Sequence, residues 1–149
     1  MTTAPPAIPH QDFTYRIIGC AMKVHNDLGP GLRELHYHRA LSKAMEEDGL
    51  NFAPQWPFRV EFGDKKVGTL YIDHLVEEKV IVEEKALSHL LTADEVGQVV
   101  TYLAATGMPV GLLLNFGRPS LEYKRILPPQ KFNTCRKRIG RYSQKEPSR

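Results

Sequence analysis

Apolar and polar positions change period several times along the chain. Phe13, Ile17, Ile18, Met22 and Val24 fall on a helical stripe, which predicts a helix from Asp12, a candidate cap, to about Leu28. Gly29-Pro30-Gly31 breaks it. A second helix is expected from about Leu32 to Asp48, with Leu35, Ala40, Leu41, Ala44 and Met45 available for burial and Gly49 as its stop. Residues 51–57 read as a loop or irregular strand start. Residues 58–62 then alternate as a half-buried strand does, and Gly63-Asp64 is the turn. The runs 70–76 and 80–82 are rich in β-branched and aromatic residues. They flank the acidic connection Glu77-Glu78-Lys79, so they predict two adjacent antiparallel strands. Thr92-Ala93-Asp94-Glu95 is a capping box, and it opens a helix carrying Val96, Val99, Val100, Leu103 and Ala104 to Gly107. Residues 110–116 are continuously apolar, as a strand buried on both faces would be. Residues 121–127 make a last strand, and Pro128-Pro129 is expected to end the fold.

The order is helix, helix, three strands, helix, two strands. The strand at Glu83, the helix at Thr92 and the strand at Val110 form a β-α-β crossover. That unit should be right-handed and set the last strands parallel to the Glu83 strand. The expectation is an α/β fold, a mixed sheet flanked by helices. No glycine-rich loop follows a strand, so a Rossmann domain is not indicated.

Composition and charge refine this picture. A chain of 149 residues suits one domain. We place that domain at residues 12–127, after a disordered lead over residues 1–11 and before a basic tail over residues 128–149. No apolar run nears the ~18 residues of a membrane span. The lead, with Pro5, Pro6 and Pro9, does not read as a signal peptide. Cys20 and Cys135 are far apart and form no zinc spacing, which suits a reducing, cytoplasmic setting. The net charge of +3 is uneven. Lys131, Arg136, Lys137, Arg138, Arg141, Lys145 and Arg149 stand against Glu146 alone in the tail, a net +6 that leaves −3 for the rest. Such a tail reads equally as a phosphate-binding arm or as a solubility feature.

The candidate chemistry lies in residues 68–86. Glu83 and Lys85 share one face of their strand while Glu84 points the other way. Asp73 sits in the middle of the neighbouring strand among apolar residues. Charged groups converging on a sheet face are costly to bury without a partner or a task. An Asp followed about ten residues later by Glu-x-Lys is the pattern of a metal-dependent phosphodiesterase, although the same letters also suit a solvated strand edge. Gln98 and Tyr102 are four apart and so stack on one helix face. Among the histidines, His36 and His38 diverge on a helix, His25 and His89 have no partner at ligand spacing, and His74 faces away from Asp73. A zinc site is therefore not expected. Tyr37 reads as a core residue or a hydrogen-bond donor to the site, and Trp56 as core or loop packing.

Gly31-Leu32-Arg33-Glu34-Leu35-His36-Tyr37 resembles the GxxExxY motif of a family of small bacterial and archaeal proteins. Ala40-Leu41, Ile81-Val82-Glu83-Glu84-Lys85-Ala86, Gln98 with Tyr102-Leu103, Ala105-Thr106-Gly107 and the stretch 111–117 continue the resemblance in order, from Tyr15 to Arg125. That family is similar to the PD-(D/E)XK nuclease superfamily. The resemblance implies a restriction-endonuclease-like fold with an α-β-β-β-α-β core. It also implies a metal-binding role for Asp73, Glu83 and Glu34, with Glu83 and Lys85 as the (D/E)xK pair. Gln98 and Tyr102 would be the QxxxY pair of the RecB-like branch. The implied cofactor is Mg²⁺ or Mn²⁺ and the implied substrate DNA. With no recognition domain in the sequence, structure-directed or low-specificity cutting is expected, by a homodimer or with a partner protein. The alternatives are a catalytically silent nucleic-acid-binding protein of this fold or an accessory subunit. Ile72 stands where the superfamily name has proline. Glu84 stands where an apolar residue is usual, so its carboxylate needs a cation or solvent on the far side.

Overall fold

The computed structural model describes residues 8–129 and the backbone of 141–143. Helix α1 spans Gln11–Leu28 and buries Ile17, Ile18, Ala21 and Val24 along its stripe. His10, at φ 54°, occupies the cap position without a side-chain bond. Asp12 lies inside the first turn instead of capping it, where a carboxylate meets the positive end of the helix dipole. Helix α2 spans Glu34–Glu47 and starts later than expected. The loop before it is pinned by Tyr37, whose hydroxyl donates to the Gly29 carbonyl and accepts from the Leu32 amide. Tyr37, Leu41 and Met45 are fully buried, whereas Leu35 turns outward and is half exposed.

Strand β1 runs Phe52–Phe62, so the irregular stretch before Phe58 is strand as well. Strands β2 (Lys65–Val76) and β3 (Val80–Lys85) follow. Their connection is a tight turn: Lys79 N donates to Val76 O (3.0 Å), with Glu77 and Glu78 both at positive φ. Such turns match the strand twist, at some cost for residues other than Gly and Asn. Helix α3 spans Ala93–Thr106. Thr92 caps it, the Glu95 carboxylate reaches back to the Thr92 amide, and Gly107 closes it at φ 75°. Strand β4 (Val110–Asn115) is buried at every position, and β5 covers Glu122–Ile126.

The sheet order is β5-β4-β3-β2-β1-β6, where β6 (Arg141–Ser143) pairs antiparallel with β1. Pro128-Pro129 therefore does not end the fold, because three residues of the tail extend the sheet at its opposite edge. Strand β4 runs parallel to β3, as the crossover requires. β5 returns antiparallel to β4, so only one of the two late strands is parallel to β3. The expected α/β architecture, a mixed sheet flanked by helices and consistent with a restriction-endonuclease-like fold, is what the chain adopts.

Each face of the sheet has its own core. On one, α1 and α2 cover Val76, Val80, Val82, Val110, Leu112 and Leu114. On the other, Val99 and Leu103 of α3 pack with Ile72, Leu75, Ile81 and Leu113. This two-sided burial explains why β4 reads as an unbroken apolar run. Cys20 is free and buried, while Cys135 and residues 1–7 of the expected lead over residues 1–11 lie outside the described residues. No described helix is long and apolar enough to cross a membrane.

Gly117, just past β4, is packed so closely on the backbone of Ala86 and Leu87 that an added Cβ would collide with it. Gly97, within α3, has open space around its Cα. Gly117→Ala should therefore lose about 1–3 kcal/mol of stability. Gly97→Ala should gain about 0.4–1 kcal/mol by restricting the unfolded chain. Urea unfolding of both variants checks this, and a stable Gly117→Ala protein would contradict the close approach.

Candidate active site

The β2–β3 ladder pairs Val76 with Val80, Leu75 with Ile81 and His74 with Val82, and then stops. One residue further, side chains take over from the backbone. Asp73 N donates to Glu83 Oε1 (3.0 Å), and Glu84 N donates to Asp73 Oδ2 (2.9 Å). The strands part here, and the two carboxylates close the fork. On the other side of β2, Pro54 pairs with His74 and Trp56 with Ile72, which leaves Gln55 opposite Asp73 with φ 48°. Alternation breaks at the same place: Leu75 and Ile72, three residues apart, both belong to the α3-side core. Asp73 thus sits at a phase change in the strand and not in a regular apolar run.

Glu83 is almost wholly buried. Burial first, and the Asp73 charge second, push its carboxyl up to about 9. Asp73 is raised too, by burial and then by Glu84, while a hydrogen bond between the Asp73 and Glu83 carboxyls works the other way on Asp73. Glu34, the first residue of α2, is raised by desolvation and then by Asp73, with Lys85 opposing. Among the described residues, none of these three carboxylates forms an ion pair. Lys85 turns instead to α3. Its Nζ donates to Gln98 Oε1 (2.7 Å), and Gln98 Nε2 donates to Tyr102 Oη (3.0 Å). The Tyr102 hydroxyl is raised by burial and then by Glu83. Asp73, Glu83 and Glu34, from β2, β3 and α2, thus feel one another's charge, and the hydrogen-bonded chain Lys85–Gln98–Tyr102 from β3 and α3 lies within reach of the same field.

Two neighbouring buried carboxyls, both raised above their usual range, with a third raised beside them, form an oxygen-only donor set short of positive charge. A hard divalent cation fits that set, since it would supply that charge. The cleft of about 550 Å³ lined by Asn51, Phe52, Trp56, Leu75, Glu77 and Glu78 contains none of these side chains.

On the opposite face, Glu84 is fully buried against two histidines. His38 Nδ1 and His74 Nδ1 each lie 2.8 Å from Glu84 Oε1, and Ser42 Oγ meets His74 Nε2 at 2.7 Å. Burial acts to raise Glu84, but the two imidazoles outweigh it and hold the carboxyl below its usual range. His38 is raised in turn, chiefly by its hydrogen bond to Glu84. The three side chains could hold a metal ion, which corrects the expectation that the histidines stay apart. That expectation compared His38 only with His36 on its own helix. The legible signal was Glu84 itself, a charge in a buried strand with no visible partner.

Tyr37 does not reach the carboxylates. It pins the loop at Gly29 and stacks on Phe116, with ring centroids 4.8 Å apart. Trp56 packs on Phe58, and His25 contacts the Arg118 carbonyl. Sequence reasoning gave Asn115 no role, yet it lies beside Lys85 in register and is fully buried. Its side chain accepts from the Leu87 and Gly117 amides and donates to the His89 carbonyl, which fixes the chain as it leaves Lys85.

A family model described as the PD-(D/E)XK nuclease superfamily matches residues 11–126. No curated protein and no solved structure matches the chain.

Because Glu83 binds its proton more tightly folded (about 9) than unfolded (4.5), its stabilising effect is complete below about pH 4.5 and is lost as pH rises towards 9. The metal-free protein should therefore become less stable across that window, by at most ~1.4 kcal/mol per pH unit from this group. Thermal melts in EDTA at pH 5, 7 and 9 check the slope, and Glu83→Gln should flatten it. A parental slope in that variant would place the effect elsewhere.

Proposed function

We propose, from the premise that this chain belongs to the PD-(D/E)XK nuclease superfamily, that it hydrolyses DNA phosphodiester bonds with a divalent cation held by Asp73, Glu83 and Glu34. The observation that carries the proposal is the forced pairing of the Asp73 and Glu83 carboxyls at the fork, with Glu34 beside them and no ion pair to either among the described residues. Mg²⁺ or Mn²⁺ bound there would supply Lewis acidity to the phosphate and to water.

The remaining roles belong to the side chains. Lys85 spends one of its three donors on Gln98, which leaves two to orient the attacking water and to meet charge that develops on the phosphate. Gln98 is fixed at both ends of its amide, so it holds the ammonium in one direction. Tyr102 accepts from Gln98, so its own proton remains free for a phosphate oxygen. Within the GxxExxY pattern, Glu34 serves the cation while Gly31, at φ 105°, and Tyr37 shape the loop that delivers it. On this reading, cutting is directed by DNA structure or is of low sequence specificity.

Incubation with single-stranded, duplex and branched DNA in Mg²⁺, Mn²⁺ or EDTA tests the activity. The silent-binder alternative predicts retention of DNA without cleavage in every metal. Lys85→Ala should keep Mn²⁺ and DNA binding while single-turnover cleavage falls on the order of 10²-fold or more. Asp73→Asn should instead lose Mn²⁺ affinity by calorimetry. A folded Lys85→Ala protein that cuts at the parental rate would sink the mechanism.

The +6 tail supports a second expectation, that it adds non-specific DNA affinity. Truncation would also remove β6 from the sheet edge, so charge removal is the cleaner probe. Changing Lys131, Arg136, Lys137 and Arg138 to Gln should weaken binding and flatten its salt dependence by ~0.9 in log–log slope per lost phosphate contact. An unchanged slope would assign the tail to another task.

A further inference from the structure

The cluster on the far side of the sheet has the chemistry of a second metal site. His74 and Glu84 have no exposed side-chain surface, and His38 retains 11%. Both Nδ1 atoms stand 2.8 Å from the same carboxylate oxygen, and the three ligand atoms lie within 4.8 Å of one another. His74 Nδ1, despite that contact, is not aligned to donate and has no hydrogen-bond partner among the described residues. Glu84 Oε2 has none either. Orphaned buried polar atoms of this kind are uncommon. His38 Nδ1 hydrogen-bonds to Glu84 Oε1, but at His74 the close N···O approach comes without a hydrogen bond, as between two ligands of one ion. Metal bonds of about 2.0–2.1 Å give ligand edges of ~2.9 Å at a right angle and ~3.3 Å at the tetrahedral angle. On its outer side, His74 Nε2 is held by Ser42 Oγ at 2.7 Å, which is how a ligating imidazole is usually oriented.

We propose that His38, His74 and Glu84 bind a borderline transition-metal ion such as Zn²⁺. Two imidazoles and one carboxylate suit that ion better than Mg²⁺, which the all-oxygen set on the other face suits. Glu84 Oε2 supplies a fourth donor when the carboxylate binds through both oxygens. The two rings stack, with centroids 4.2 Å apart and planes 22° from parallel, so they would have to swing open for both Nδ1 lone pairs to meet one ion. His38, on α2, is buried too, but it keeps the most side-chain exposure of the three and so lies nearest the surface. Bound there, the ion would tie α2 to β2 and β3, one turn along the helix from Glu34. This site stands apart from the nuclease reading and does not depend on it.

The test is Zn²⁺ titration of the ¹⁵N-labelled full chain, without a polyhistidine tag, followed at the histidine ring nitrogens. One equivalent should move the Nδ1 signals of His38 and His74 together into the metal-bound range and leave those of His10, His25, His36 and His89 in place. His38→Gln should weaken Zn²⁺ binding at least tenfold, whereas Asp73→Asn should not change it. Folded protein whose His38 and His74 signals stay fixed at saturating Zn²⁺ would overturn the proposal. So would an affinity that falls with Asp73→Asn and is indifferent to His38→Gln. The wild-type spectra decide the matter even if a variant fails to fold. Mn²⁺ binding and cleavage at Asp73 are read separately, so each reading can fail alone.

Discussion

Where β2 and β3 part, beyond the His74–Val82 pair, the amides of Asp73 and Glu84 lose the regular ladder and are taken up by the Glu83 and Asp73 carboxylates. A buried amide must find an acceptor, so this exchange is what lets the strands diverge at all. The same exchange forces two acidic groups side by side in a poorly solvated place, where only a shared proton or a cation relieves them. Backbone satisfaction and charge frustration are therefore one feature. The fork needs the carboxylates, and once they are there they need positive charge.

The surrounding elements serve that point. Gln55 lies at positive φ opposite Asp73, and just past it the paired Trp56 and Ile72 both join the α3-side core. Strand β4 is buried on both faces and runs parallel to β3, so the end carrying Glu83 and Lys85 is braced along its length. Asn115 then gathers the chain beyond Lys85, and the α3 pair Gln98–Tyr102 fixes the direction of the ammonium. Lys85 reaches out to an amide instead of collapsing onto the carboxylates. A lysine that simply neutralised them would leave no deficit for a cation to fill.

Helix α2 connects the two faces of the sheet. Glu34 and His38 are four residues apart, so they lie on one side of the helix and one turn apart. The first approaches the acidic set and the second meets Glu84. Adjacent residues of β3 alternate between those same two environments, Glu83 and Lys85 to one and Glu84 to the other. The strand's period of two and the helix's turn together sort five charged or polar groups into two clusters of different chemistry.

Much of this was legible in the sequence because it depends on local periodicity. The Thr92 capping box, the turn at Glu77 and Glu78, the apolar run of β4 and the opposed faces of Glu83 and Glu84 follow from residue type and spacing. So does the order of elements. What alternation could not foresee was its own failure at Asp73, since nothing in the letters announces a positive φ at Gln55. Nor could it place β6 beside β1, or bring His38 to Glu84 across 46 residues and His74 to Ser42 across 32. Those contacts are set by how the chain returns on itself. Residue patterns determined which side of each element was apolar and which carried charge. Only the tertiary structure decided which charges meet, because that depends on the packing of helices on a sheet whose register, twist and fork are properties of the whole fold.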